Sequence, residues 1–320
     1  METMTYATQN IWTDWFAVYL FLGGMGSAII AVSFLTHMYL REEKELVMWG
    51  ALSGVAMMAL GSSMLFLHLI NKWAAIYILT PWAIFHKPDS WIAWGSQFII
   101  WLQITAILFA LPFMVAKPRL LNWPLVGAIL KLDMVRSVAA MAARFQTFLG
   151  VVSILTGIGT VVYTGLLLQS FPAVTLWHNP ALPILFTVSA FSTAMAWLLI
   201  IMYMFIPHRV DATIKVLYER IDVALITAEL VIIFSFFNFT LSGSESGYRS
   251  AELLWNSMGW LVGFIGFGLL VPLALEIKCV FGIGVLCGKY VIIPASVLVL
   301  MGGFLLRHYF MAAGVYAYPW

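Results

Sequence analysis

The sequence predicts an all-α integral membrane protein, a single transmembrane domain over residues 1–320 with eight transmembrane helices, and three observations predict it. Hydrophobic residues make up 63% of the chain, charged residues 9%, and mean hydropathy is +0.98. A water-soluble domain carries about 25% charged residues, so this chain has too few to cover a water-facing surface. The apolar residues also fall into runs of about 20, the length a helix needs to cross a hydrocarbon core. Basic residues, finally, segregate between alternate loops.

Taken in order, the spans are expected at roughly 15–38, 47–70, 91–115, 145–169, 180–206, 221–241, 256–278 and 289–313. Residues 1–14 hold Glu2 and Asp14 but no Lys or Arg, so they lack the basic start of a cleaved signal and the first span is read as retained. Residues 72–90 are rich in aromatics and are expected along the interface. Residues 117–144 set Lys131, Arg136 and Arg144 among Leu, Val and Ala, as an amphipathic surface segment does. Runs such as Gly23-Gly24-Met25-Gly26-Ser27 and Gly263-Phe264-Ile265-Gly266-Phe267-Gly268 read as close helix packing. No internal repeat stands out.

Orientation follows from the basic loops. Those on the N-terminal side carry Lys72, Lys87 and Arg249, against twelve basic residues opposite, from Arg41 and Lys44 to Lys278 and Lys289. The richer side faces the cytoplasm, so both termini are expected outside, in the periplasm of a bacterial cell, with the chain in the inner membrane. Trp12, Trp15, Trp91, Trp94, Trp177, Tyr316, Tyr318 and Trp320 fall on that outer side as interfacial anchors.

Several functions are excluded early. A net charge of +2 gives no field for nucleic acid. Cys279 and Cys287 make neither a metal-ligand pattern nor a disulfide framework, and no Walker loop or dinucleotide fingerprint occurs. Of six histidines, only His68 and His308 approach the depth that a bis-histidine haem needs, so no haem, iron–sulfur cluster or metal site is expected.

The informative residues are polar ones within the spans, since an ionised group at mid-bilayer costs on the order of 2.5–3.5 kcal/mol and marks a pathway. In span six, Asp222 and Glu229 are two turns apart on one face, about 10 Å along the axis. They read as a proton-relay face starting at the inner surface. The plainer alternative pairs Asp222 with Arg220 and makes Glu229 half of an interhelical ion pair. Arg307, beside His308 in span eight, either snorkels to the headgroups or stabilises an anionic group or Glu229. Tyr19, His68 and Tyr163 come from three spans at one outer depth. That set suits a quinone, which offers two carbonyls to hydrogen-bond and needs a group able to move protons.

The segments that hold these residues carry a resemblance. Trp15-Phe16-Ala17-Val18-Tyr19-Leu20-Phe21-Leu22-Gly23-Gly24, Phe66-Leu67-His68-Leu69, Pro88-Asp89-Ser90-Trp91, Tyr163-Thr164-Gly165 with Asn179-Pro180-Ala181-Leu182-Pro183, Arg220-Ile221-Asp222 with Glu229, and Leu306-Arg307-His308-Tyr309 occur in order along nearly the whole chain. The series resembles the NrfD-like family, the membrane subunits of polysulfide and nitrite reductase systems. The resemblance implies two four-helix bundles without a redox metal. It also implies a menaquinone or ubiquinone site near the outer face, a ferredoxin-like iron–sulfur partner, and a molybdenum or haem catalytic subunit. Tyr19, His68 and Tyr163 match its quinone positions, and Asp222, Glu229 and Arg307 its ionisable positions with a proton-path role. Many members have Asp-Leu where this sequence has His68-Leu69.

The expected function is therefore a quinone- or quinol-interacting membrane anchor of a respiratory oxidoreductase, as in anaerobic respiration. It exchanges electrons between the quinone pool and an iron–sulfur partner, and conducts protons. His68 and Arg307 handle the proton and charge of the quinol. The rival reading is a proton-coupled secondary transporter using Asp222, Glu229 and Arg307, but neither broken helices nor repeat symmetry shows clearly. A purely structural anchor leaves Glu229 and Arg307 unexplained.

Overall fold

The computed structural model describes residues 5–10, 12, 14–40, 44–68, 71–206, 212–282 and 288–318, with the side chains of Thr5, His68, Ala74 and Tyr318 outside that set. Strand β1 (Thr5–Thr8) precedes the long helices α1 (Asp14–Tyr39) and α2 (Lys44–His68). Short helices α3 (Ala74–Leu79) and α4 (Trp82–His86) lead to α5 (Trp91–Val115). Then come α6 (Pro118–Leu121), α7 (Pro124–Leu130), α8 (Asp133–Arg144) and the long α9 (Gln146–Gln169). Helix α10 (Ala181–Ile200) extends through a π-turn at Ile201–Phe205, and α11 (Ala212–Gly243) and α12 (Glu245–Trp255) follow. A π-helical stretch, Gly259–Leu270, runs into α13 (Val271–Val280), before α14 (Lys289–Ala312) and β2 (Val315–Tyr318).

Among the described residues, eight helices are long and apolar enough to cross a membrane, and each coincides with an expected span. The protein is all-α and multi-pass. The largest difference is in span six, which starts at Ala212 rather than near 221. Charged Lys215, Glu219 and Arg220 end the apolar run, yet Ile214, Tyr218 and Glu219 continue the buried stripe of the same helix. Residues 72–90 and 117–144 form short helices with exposed Trp73, Tyr77, Trp82, Phe85, Leu125 and Met134, as expected of surface segments.

Lipid gives no hydrophobic drive between helices, so close backbone approach holds them together. A Cβ added to Gly26 of α1 would lie 2.7 Å from Gly54 O of α2, and one on Gly268 would lie 2.6 Å from Gly302 Cα of α14. The wide turns before α13 lead up to Pro272, which has no N–H to close an α-turn. In α1 and α10, 78% and 72% of the span is buried, against 28% in α2 and α5. Helices α1 and α10 are therefore the shared centre. Helix α1 packs on α2, α9, α10 and α14, and α10 packs on α9, α11 and α14.

Strand β1 pairs antiparallel with β2, Thr5 opposite Tyr318 and Thr8 opposite Val315. Both strands therefore lie on one side, as eight crossings require. The loop after α9 folds under this ribbon, with Val174 bridged to Tyr316. It carries Trp177 inward, which corrects the expectation of an interfacial anchor. Trp177 is fully buried, and its Nε1 donates to Phe310 O at 2.8 Å. A second correction concerns sulfur: Cys279 is disulfide-bonded where no disulfide framework was expected, and Cys287 lies outside the described residues.

Candidate functional site

Tyr19 lies on the buried face of α1, whose spacing also buries Phe16 and Gly23. Tyr163 lies on the buried face of α9. Their hydroxyls meet, Tyr19 OH donating to Tyr163 OH at 3.2 Å, so two of the three expected quinone residues are brought together. The Tyr163 ring lies flat against Gly95 of α5, where any Cβ would overlap the ring. Only glycine leaves the phenol this position. Each phenol has one proton, and two hydroxyls sharing one hydrogen bond leave one proton without an acceptor among the described residues. Buried donors are otherwise almost always satisfied. Beside the start of α5, a groove of about 450 Å³ is lined by Tyr77, Thr80, Trp82, His86, Lys87 and Ala93. His68 ends α2, and its side chain lies outside the described residues.

Arg307 does not snorkel. It is 0% exposed, and its guanidinium reaches across α14 into α10. Nη1 donates to Ser189 Oγ at 3.1 Å and to Gly303 O at 2.7 Å, and Nη2 to Phe186 O at 3.2 Å. The Phe186 ring faces it at 5.1 Å. Glu229, buried on α11, lies within range of its charge and near the Ser189 hydroxyl. Three helices thus enclose a charge pair with one serine beside it. Gly24 of α1 separates this pair from the phenols: a Cβ there would lie 3.8 Å from Arg307 Nη2 and 4.0 Å from Thr164 Oγ1, next to Tyr163. Tyr19 is about 7.5 Å along the same helix.

Asp222 is not paired with Arg220, which is exposed. The carboxylate is fully buried and accepts from Ser192 Oγ at 2.6 Å. Because α11 starts early, Asp222 stands well inside the helix rather than at its mouth. Two carboxylates escape sequence reasoning. Glu219, one turn before Asp222, is buried and accepts from Tyr203 OH at 2.9 Å. Glu276 of α13 is buried completely. Each sits near the end of an apolar run, where a carboxylate reads as interfacial. The visible signal is an i, i+3 or i+4 step from a buried neighbour: Glu219 to Asp222, Pro272 to Glu276. His308 is more than a neighbour of Arg307: its Nδ1 lies 2.9 Å from Asp14 Oδ1, tying the C-terminal end of α14 to the N-terminal end of α1. Among the described residues, no three His, Cys, Asp or Glu side chains gather to hold a metal ion. The carboxylates form a series, not a cage.

The family model described as polysulphide reductase, NrfD, matches residues 3–319. Protein NrfD of Escherichia coli (strain K12) is 24% identical over 287 residues, 86% of this chain and 87% of the relative. The NrfD homolog of Haemophilus influenzae is 24% identical, covering 97% and 96%. A polysulfide reductase chain of Wolinella succinogenes is 27% identical, covering 95% and 94%. A family match over nearly the full length, on a protein of eight membrane-spanning helices, has one reading: the chain belongs to the polysulphide reductase, NrfD family.

Proposed function

We propose that this protein is the quinone-reactive membrane subunit of a respiratory oxidoreductase, its helices arranged as two four-helix bundles. In this reading it exchanges electrons between menaquinone or ubiquinone and a ferredoxin-like iron–sulfur subunit that serves a molybdenum or haem catalytic subunit. One relative is by its name one chain of a polysulfide reductase, which supports partner subunits. The observation that carries the quinone reading is the buried phenol pair, one of whose two protons has no acceptor among the described residues. A quinone carbonyl is the acceptor such a donor needs. Oxidation of a quinol releases two protons and two electrons. Tyr19 and Tyr163 hold a headgroup oxygen, and His68 takes or passes a proton. Arg307, committed to Ser189, Gly303 and Phe186, steadies Glu229 rather than the headgroup. The complex purified from its membrane is expected to contain extractable quinone whose redox state follows added reductant. A complex that holds none, and neither binds nor reduces added quinone, contradicts the reading.

Protons leave or enter along Glu229 and Asp222. Glu229→Gln is expected to lower quinol turnover on the order of 100-fold, the scale of a lost proton-transfer group. Assembly and quinone binding are largely kept, at some cost in stability, because Arg307 loses its charge partner but keeps its bonds to α10 and α14. Unchanged turnover by the assembled variant across a range of pH rules the relay out.

We read both termini as outside, with the uneven basic loops in support. Asn10→Cys is expected to react with an impermeant maleimide in intact cells, and Met134→Cys only after permeabilisation. Labelling of both from the same side would overturn the topology.

A further inference from the structure

We propose that Glu276 and Asp222 together hold one transferable proton and form the loading station of a half-channel from the membrane face bearing Lys215 to Glu229. The inference rests on the reading in which Glu229 relays protons.

Helix α13 buries Pro272 and Glu276 on one face, four residues apart, and packs that side on α11 and α14. Glu276 is 0% exposed, and neither of its carboxylate oxygens has a hydrogen-bond partner among the described residues. Asp222 Oδ2 is likewise buried and unpartnered, while Oδ1 takes the Ser192 proton. Glu276 lies within Coulombic range of both Asp222 and Glu219, and Asp222 within range of Glu229. The cations of the surrounding elements stay nearer solvent. Arg220, Lys278 and Lys289 are nearer the surface, and Lys215 is half-buried over the Tyr203 ring at 5.0 Å. The buried Arg307 is engaged with Ser189, Phe186 and Gly303.

Two ionised carboxyls within Coulombic range of each other in hydrocarbon, with the surrounding cations engaged elsewhere or nearer solvent, repel and lose their hydration. One proton held between them removes the repulsion and gives one oxygen a donor. Buried ionisable groups without a structural partner are retained in membranes for transport of charge. A surface connection exists: Tyr203, half-buried, donates to Glu219 at 2.9 Å under Lys215. Above the pair, Ser192 and Ser189 stand one turn apart on α10, one bonded to Asp222 and the other near Glu229. A proton entering at Tyr203 and Glu219 reloads the pair as the pair's proton passes to Glu229, so one enters for each that leaves.

The test is the assembled complex in liposomes, with a pH dye on the Lys215 side and quinol turnover recorded in parallel. Wild type is expected to exchange protons with that side in proportion to electrons. Glu276→Gln is expected to lower the protons exchanged per electron at least tenfold, and Glu276→Asp to restore most of them. Glu276→Leu, which removes the buried polar group, should assemble and show the same loss, which separates transfer from folding. An unaltered proton-to-electron ratio in Glu276→Gln or Glu276→Leu overturns the proposal. So does sodium-dependent turnover that Glu276→Gln abolishes at an unchanged proton ratio, which would make the pair a cation site. Wild type that oxidises quinol without exchanging protons on this side also overturns it and leaves the quinone reading standing. Wild type with no quinol turnover sinks the quinone reading itself.

Discussion

Replacing Arg307 with Met is expected to destabilise the assembled protein by about 3–5 kcal/mol, the usual cost of removing one partner from a buried charge pair. The side chain is fully buried and donates to three oxygens on two helices, Ser189, Phe186 and Gly303. Glu229, near the same serine, is left with one buried oxygen that already lacks a hydrogen-bond partner among the described residues. The substitution thus leaves an uncompensated carboxylate as well as unfilled acceptors. The double substitution Arg307→Met, Glu229→Gln removes both charges and is expected to recover most of the loss. Unfolding of the detergent-solubilised complex, read as a double-mutant cycle, checks this. Additive losses would show that the two side chains do not interact.

Tyr163→Phe is expected to lower kcat/KM for quinol on the order of 100-fold while changing stability by only about 1 kcal/mol, the net value of one hydrogen bond. The phenol ring is buried against Gly95, so removing the hydroxyl leaves the ring in place. Gly95→Ala makes the opposite intervention: it keeps the hydroxyl and forces the ring away. It should lose turnover to a similar degree and raise KM as well, because overpacking moves the donor. Steady-state kinetics on both variants separates lost chemistry from lost position. Equal, wild-type kinetics in both would detach Tyr163 from the quinone.

The spans were legible because length and apolar content alone decide whether a helix crosses lipid. The same criterion misplaced the start of α11, where Glu219 carries charge into a buried stripe. It also took Trp177 for an interfacial ring, although the ribbon formed by β1 and β2 closes over it. Tyr19 and Tyr163 could be paired by depth, a one-dimensional property that a helix preserves. Azimuth is a different matter. Which way a side chain points around its helix depends on the neighbour it meets, so Ser189 and Ser192, ordinary in sequence, emerge only as the bridge between Arg307, Glu229 and Asp222. Gly95 and Gly24 are likewise two of 24 glycines until the Tyr163 ring and the Arg307 guanidinium are seen against them.

The most direct test is the infrared spectrum of quinone bound to the purified complex, with one carbonyl at a time labelled with a heavy carbon isotope. A carbonyl that accepts the spare proton of the Tyr19–Tyr163 pair absorbs at lower frequency than in apolar solvent. Wild type is expected to show that downshift for one carbonyl, and Tyr163→Phe to abolish it while quinone stays bound. The same downshifted band in Tyr163→Phe, or carbonyls unshifted in wild type, would contradict a quinone seated on the phenol pair.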